Sequence, residues 1–114
     1  MITIRKQLEA HWWRLDESDT ASPEFFCKPL TRLQLVDVTR EMGMDQFDRF
    51  AMTGKGIKTL FTFGLLDWRH IVDEQGKPIK FSQSEAENLP ASVLTAVAGH
   101  IFESSVVTAE QKKS

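Results

Sequence analysis

Leu30-Thr31-Arg32-Leu33-Gln34-Leu35-Val36-Asp37-Val38-Thr39-Arg40-Glu41-Met42-Gly43 is the stretch whose reading decides the fold. The Thr31 hydroxyl is placed to accept the backbone N–H of Gln34, and the Gln34 side chain is long enough to reach back to Thr31. That is the capping-box arrangement at a helix start. Leu30 and Leu35 stand where a hydrophobic staple would put them. Leu35, Val38 and Met42 follow helical spacing, with Leu33 and Val36 widening the apolar stripe, and Gly43 supplies a stop.

Downstream of this helix, Asp45 reads as the N-cap of a second one running to Met52, with Phe47 and Phe50 on one side at i, i+3. Thr53-Gly54-Lys55-Gly56 reads as the turn before a third helix, Ile57 to Gly64, which carries Ile57, Leu60, Phe61 and Gly64 at helical spacing. A short apolar segment, Leu65-Leu66-Asp67-Trp68, follows. Arg69–Val72 and Lys77–Phe81 flank the turn Asp73-Glu74-Gln75-Gly76 and read as a small hairpin whose second arm Pro78 keeps short or at an edge. Ser82 with Glu85 repeats the capping-box pattern, and that helix ends near Asn88-Leu89. Pro90 suits the first position of a last helix, where Leu94, Val97, Ala98 and Ile101 form the buried stripe with Phe102 beside it.

Upstream, His11–Leu15 is Trp-rich and reads as a strand, Asp16–Pro23 as a polar loop, and Phe25–Pro29 as a second strand paired with the first. Met1–Gln7 carries few structural signals, so it frays or lies along a partner. The expected fold is α+β, mainly α, with four or five helices and one or two short β-hairpins. At 114 residues the chain is one domain, drawn here as residues 1–103, followed by a flexible polar tail, 104–114.

Composition narrows the function. Val, Ile, Leu and Phe make up 31 of the 114 residues, too many for a disordered chain. The longest apolar stretch, Leu60–Leu66, contains Thr62 and Gly64, and no run approaches the ~18 residues of a membrane span. No apolar segment follows a basic start at the N-terminus, so no secretory signal is read there. The net charge of −2 argues against a nucleic-acid or membrane-surface binder. The single cysteine, Cys27, forms no internal disulfide and no multi-cysteine metal site.

Catalytic patterns are missing. His11, His70 and His100 fall in three different elements without metal-ligand spacing. Cys27 has no base beside it in sequence and reads as a small buried apolar residue. Gly54-Lys55 lacks the glycine four residues upstream and the Ser or Thr after the lysine that a phosphate loop requires. Glu85 and Glu87, two apart, point different ways on a helix. The expectation is therefore no enzyme, no cofactor and no metal.

Apolar surface carries more information. Trp12 and Trp13 cannot both face one core from a strand, because neighbouring side chains alternate. The same holds for Phe25 and Phe26. Either both faces of the hairpin are covered, or one Trp and one Phe stay exposed together as an interaction patch. Val106 and Val107, isolated in the polar tail, pose the same question. Trp12, Trp13, Phe25, Phe26, Val106 and Val107 are thus the candidate partner-binding residues.

The order of these parts resembles a known family. Lys28-Pro29-Leu30-Thr31 caps a helix after a β-rich opening. Gly64-Leu65-Leu66-Asp67-Trp68-Arg69 is followed by Val72-Asp73-Glu74-Gln75-Gly76-Lys77-Pro78-Ile79-Lys80-Phe81-Ser82. The chain then passes through Leu89-Pro90 into a closing helix and a charged Glu110-Gln111-Lys112-Lys113 end. This resembles the small tail assembly chaperones of long-tailed bacteriophages, chiefly over the C-terminal half. The resemblance implies a non-catalytic role in virion morphogenesis in the host cytoplasm. Such a protein binds the tape-measure protein and keeps that long apolar helical chain soluble until the major tail protein polymerises around it. It implies no nucleic-acid or membrane partner. Many such chaperones exist in a longer frameshifted form, and lysine codons such as those for Lys112-Lys113 are adenine-rich, the composition a slip site uses. Holding such a client requires exposed apolar surface, and self-association would hide it between clients, so a homo-oligomer is expected. The alternative reading is a virion structural protein, a small connector or tail-completion subunit of the same size and charge. A regulatory domain that binds nucleic acid ranks lower, since no helix carries a basic face.

Overall fold

The computed structural model describes residues 9–44 and 50–110. Met1–Gln7, Asp45 and Phe47 as parts of a second helix, and Lys112-Lys113 lie outside them. Among the described residues the fold is α+β, mainly α. Four helices accompany a three-stranded antiparallel sheet of order β1-β2-β5 and a separate two-stranded ribbon, β3-β4.

β1 (His11–Arg14) and β2 (Glu24–Cys27) pair as the expected hairpin, with Trp12 opposite Phe26 and Trp13 opposite Phe25. The wide loop between them is held by Asp16 and Asp19, whose carboxylates accept the N–H groups of Ser18 and Ala21, and by the buried Ser22 hydroxyl, which accepts the N–H of Asp16. After Pro29, α1 (Arg32–Glu41) starts on a complete capping box formed by Thr31 and Gln34. Val38 is fully buried, and Leu35 and Met42 pack against the core.

Leu33 and Val36 do not widen that stripe. They lie about 140° and 160° around the helix from Val38, and are 80% and 47% exposed. Gly43 does not stop the helix through a left-handed turn either. Met42 goes extended at the C-cap, and Gly43 enters β3 (Gly43–Met44), which pairs with β4 (Phe50–Ala51). Phe50 is therefore in a strand, and the helix expected up to Met52 does not reach it.

α2 (Gly54–Gly64) begins three residues earlier than the sequence reading placed it. Thr53 is its N-cap, accepting the N–H of Gly56 and donating to the Glu41 carbonyl, so Gly54-Lys55-Gly56 is its first turn and not an inter-helix loop. Gly64 closes the helix where three elements meet. A Cβ there would stand 2.5 Å from Ile101 Cγ2 and 3.0 Å from both Leu30 Cδ1 and the Lys28 carbonyl, so only glycine fits.

β5 (Leu65–Arg69) follows directly, pairing with β2 as the third strand. Its register shifts between Phe26 and Cys27, which leaves Leu66 as an extra residue. The hairpin expected after it is reduced to one bridge, Val72 with Pro78, beside a turn in which Asp73 accepts from Gln75 and Lys77 and Gly76 takes φ +79°. Trp68 ties this strap to the sheet. Its indole N–H donates to the Ile79 carbonyl at 2.8 Å, and its ring meets Phe81 edge-on.

α3 (Gln83–Ala86), capped by Ser82, returns the Gln83 amide to the Phe61 and Leu65 carbonyls at the end of α2. α4 (Ala91–Glu110) opens after Pro90, whose carbonyl accepts the first helical bonds, and buries Val97, Ala98 and Ile101 as expected. It runs past residue 103. Ser104–Glu110, read from sequence as tail, are helical, and Ser105 is 1% exposed. The Ser105 hydroxyl accepts the Leu30 N–H at 2.8 Å and donates to the Ile101 carbonyl, so it satisfies an amide at the junction of β2 and α1. No described helix is long and apolar enough to cross a membrane.

Candidate functional site

The three-stranded sheet divides the aromatic residues by face. On one face Phe25 is fully buried and Trp13 packs against the core. Trp13 lies parallel to the His100 ring of α4, with centroids 4.5 Å apart. Beside it, His11 and His100 share a hydrogen bond between their Nε2 atoms at 2.8 Å, one imidazole donating and the other accepting. Burial and the neighbouring His11 hold the His100 pKa down to about 4, so the ring stays neutral. Cys27 and Trp68 continue this face, and burial pushes the Cys27 thiol up to about 12, far from thiolate chemistry.

The other face carries the same residue types with different surroundings. Trp12 and Phe26 are half-buried and sit outside the hydrophobic core. Their rings meet at 5.0 Å. The Arg69 guanidinium reaches across from β5 to lie 3.6 Å over the Trp12 ring, a cation–π contact. By strand alternation Arg14, Glu24, Asp67 and Arg69 share this face with the two rings. Glu24 Oε1 stands 3.8 Å from Arg14, and its Oε2 3.4 Å from His70 Nε2. His70 itself ends β5 at φ 63°. The result is a pair of rings, Trp12 on the edge strand and Phe26 on the central one, with Asp67 at the end of their row and the charged row Arg14, Glu24 and Arg69 beside it.

Of the six candidate residues, Trp13 and Phe25 are therefore core, packed inside, and Trp12 and Phe26 form the patch. Val106 is half-buried on α4; the Val107 side chain lies outside the described residues. Sequence reasoning placed Arg69 at the start of the small hairpin and so did not set it beside Trp12, because Leu65–Arg69 was not read as a strand pairing with β2. Among the described residues no group of three or more His, Cys, Asp or Glu side chains is placed to hold a metal ion. A hollow beside α2 and α3 is lined by Lys58, Phe61, Thr62, Gln83, Ser84 and Glu87. No protein-family profile, no curated protein and no solved structure matches this chain.

Proposed function

We propose that this chain is a non-catalytic tail assembly chaperone, which binds the tape-measure protein through the Trp12–Phe26 face and keeps it soluble during tail assembly. The observation that carries the reading is the pairing of a Trp and a Phe outside the core, bracketed by Arg69. Trp and Arg are the side chains that most often anchor protein interfaces. Three strands at about 4.8 Å spacing give a face about 10 Å across, close to the width of one helix. An amphipathic helical client laid on it meets the Trp12–Phe26 pair along one row and Arg14, Glu24 and Arg69 along the next.

Co-expression with a tape-measure fragment tests this. The expected result is a soluble complex that the double variant Trp12→Ser, Phe26→Ser weakens by about tenfold or more. A fragment that stays insoluble beside a well-folded chain contradicts the reading. Detection of the protein as a component of purified particles would replace it with the structural-subunit alternative.

A further inference from the structure

The two edges of the three-stranded sheet differ. Leu15 donates to the Pro23 carbonyl at 3.0 Å in the register that pairs Trp13 with Phe25. Antiparallel pairs alternate, so the odd-numbered residues of β1 direct their backbone groups at β2 and the even-numbered ones direct theirs away. The N–H and C=O groups of Trp12 and Arg14 thus point outward, and no described residue pairs with them. On β2, Lys28 donates to the Gly64 carbonyl at 2.8 Å, so its even-numbered residues face β5 in the same alternation. At the far edge of β5 the outward N–H of Trp68 is taken by the Asp67 carboxylate at 2.8 Å, and the Ile71–Phe81 strap lies alongside. One edge is closed by its own side chain. The other is unpaired among the described residues, and unpaired edges pair with other strands.

We propose that β1 is the seam of a symmetric dimer, in which the β1 strands of two copies pair antiparallel about a two-fold axis at Trp13 and merge two three-stranded sheets into one of six. The occupant is a second copy because β1 complements itself. Outward-bonding residues must meet outward-bonding residues, which leaves three registers. A two-fold axis at Arg14 sets arginine against arginine, which is repulsive. An axis at Trp12 sets Arg14 against Ala10 and uses less of the strand. The axis at Trp13 places Trp12 of each copy opposite Arg14 of the other, so each indole gains a second guanidinium on the face away from Arg69. Arg14 is the β1 side chain placed to take that role. Among the described residues its ion pair is loose, at 3.8 Å, and its buried Nε has no hydrogen-bond partner. The seam is independent of the chaperone reading, since it rests on the chain alone, and it would set two Trp12–Phe26 patches side by side on one surface.

Cross-linking of the full chain tests the seam and its register together. Opposed Trp12 and Arg14 positions have Cα atoms about 5.5 Å apart, within disulfide reach, whereas Trp12 and its own copy are a diagonal pair about 7–8 Å apart or more. Chains with Trp12→Cys mixed with chains carrying Arg14→Cys should give a mixed disulfide in at least about tenfold excess over either variant alone, the ratio expected when one register is preferred by a single pair of interactions. Self-linking of Trp12→Cys alone, or no linking by folded variants, overturns the proposal. Amide exchange in the unsubstituted chain gives a second reading that survives a failure of the variants to fold. Exchange at the Trp12 and Arg14 N–H groups should slow as protein concentration rises. Oligomers whose Trp12 and Arg14 amides still exchange rapidly, or a chain that sediments as monomer throughout, contradict it.

Discussion

Trp12 and Trp13 are neighbours in the chain and live in different environments, as do Phe26 and Phe25. Trp13 and Phe25 are held by α4, His100 and the interior, while Trp12 and Phe26 are half-buried outside the core, in contact with each other and, at Trp12, with Arg69. The contrast separates two uses of aromatic area that composition cannot distinguish. On one face it packs into the core, and on the other it lies half-buried outside the core.

The largest expected effect breaks this contrast at its centre. Phe25→Ala removes a ring with no exposure and should cost about 3–5 kcal/mol of stability, whereas Phe26→Ala, half-buried against Trp12, should cost about 1–2 kcal/mol. Denaturant unfolding of the two variants measures the difference, and equal losses would erase the distinction between the faces. Next in size, Gly64→Ala sets a methyl against Ile101 and Leu30 beneath the inner face and should destabilise by about 1–3 kcal/mol. A melting temperature unchanged by that substitution would show that the inner face has slack.

A smaller effect comes from the seam between β1 and α4. The His100 pKa is lowered from 6.5 to about 4, so the unfolded chain binds a proton more readily than the folded one over that range. Its contribution to stability is complete above about pH 6.5 and is lost as the pH falls toward 4. For a half-buried ring, discounted for solvent screening, the loss is about 1–2 kcal/mol. His100→Phe, which keeps a ring beside Trp13, should flatten the acid limb of the stability profile over that window relative to the unsubstituted chain. An unchanged acid limb would mean that the paired imidazoles do not couple to folding.

Much of the frame was legible where a local signal agreed with its surroundings. Thr31 with Gln34, the Trp-rich hairpin and the Val97–Ala98–Ile101 stripe each needed only their own neighbours to be read. The rest depended on distant contacts. Leu65-Leu66-Asp67-Trp68-Arg69 does not alternate, because the bulge at Leu66 places two exposed residues between two buried ones, and so β5 was invisible to a period-two reading. Gly54 and Gly56 look like breakers, yet Thr53 caps them into a helix. Ser105 looks like tail until Leu30, 75 residues away, is seen to need its hydroxyl. For the site, alternation alone put Trp12 and Phe26 on the face opposite Trp13 and Phe25. Which face is open required the position of α4, and the third anchor, Arg69, required β5.

The central claim is that the open aromatic face binds an apolar helical client while the covered one holds the fold. Calorimetric titration of a helical tape-measure fragment into the chain and into its Trp12→Ser, Phe26→Ser variant tests it most directly. The account predicts saturable binding that weakens about tenfold or more in the variant, with the variant still unfolding cooperatively at a lowered midpoint, since it loses the Trp12–Phe26 and Trp12–Arg69 contacts. Binding of equal strength by both proteins, or none by the unsubstituted chain, would contradict it.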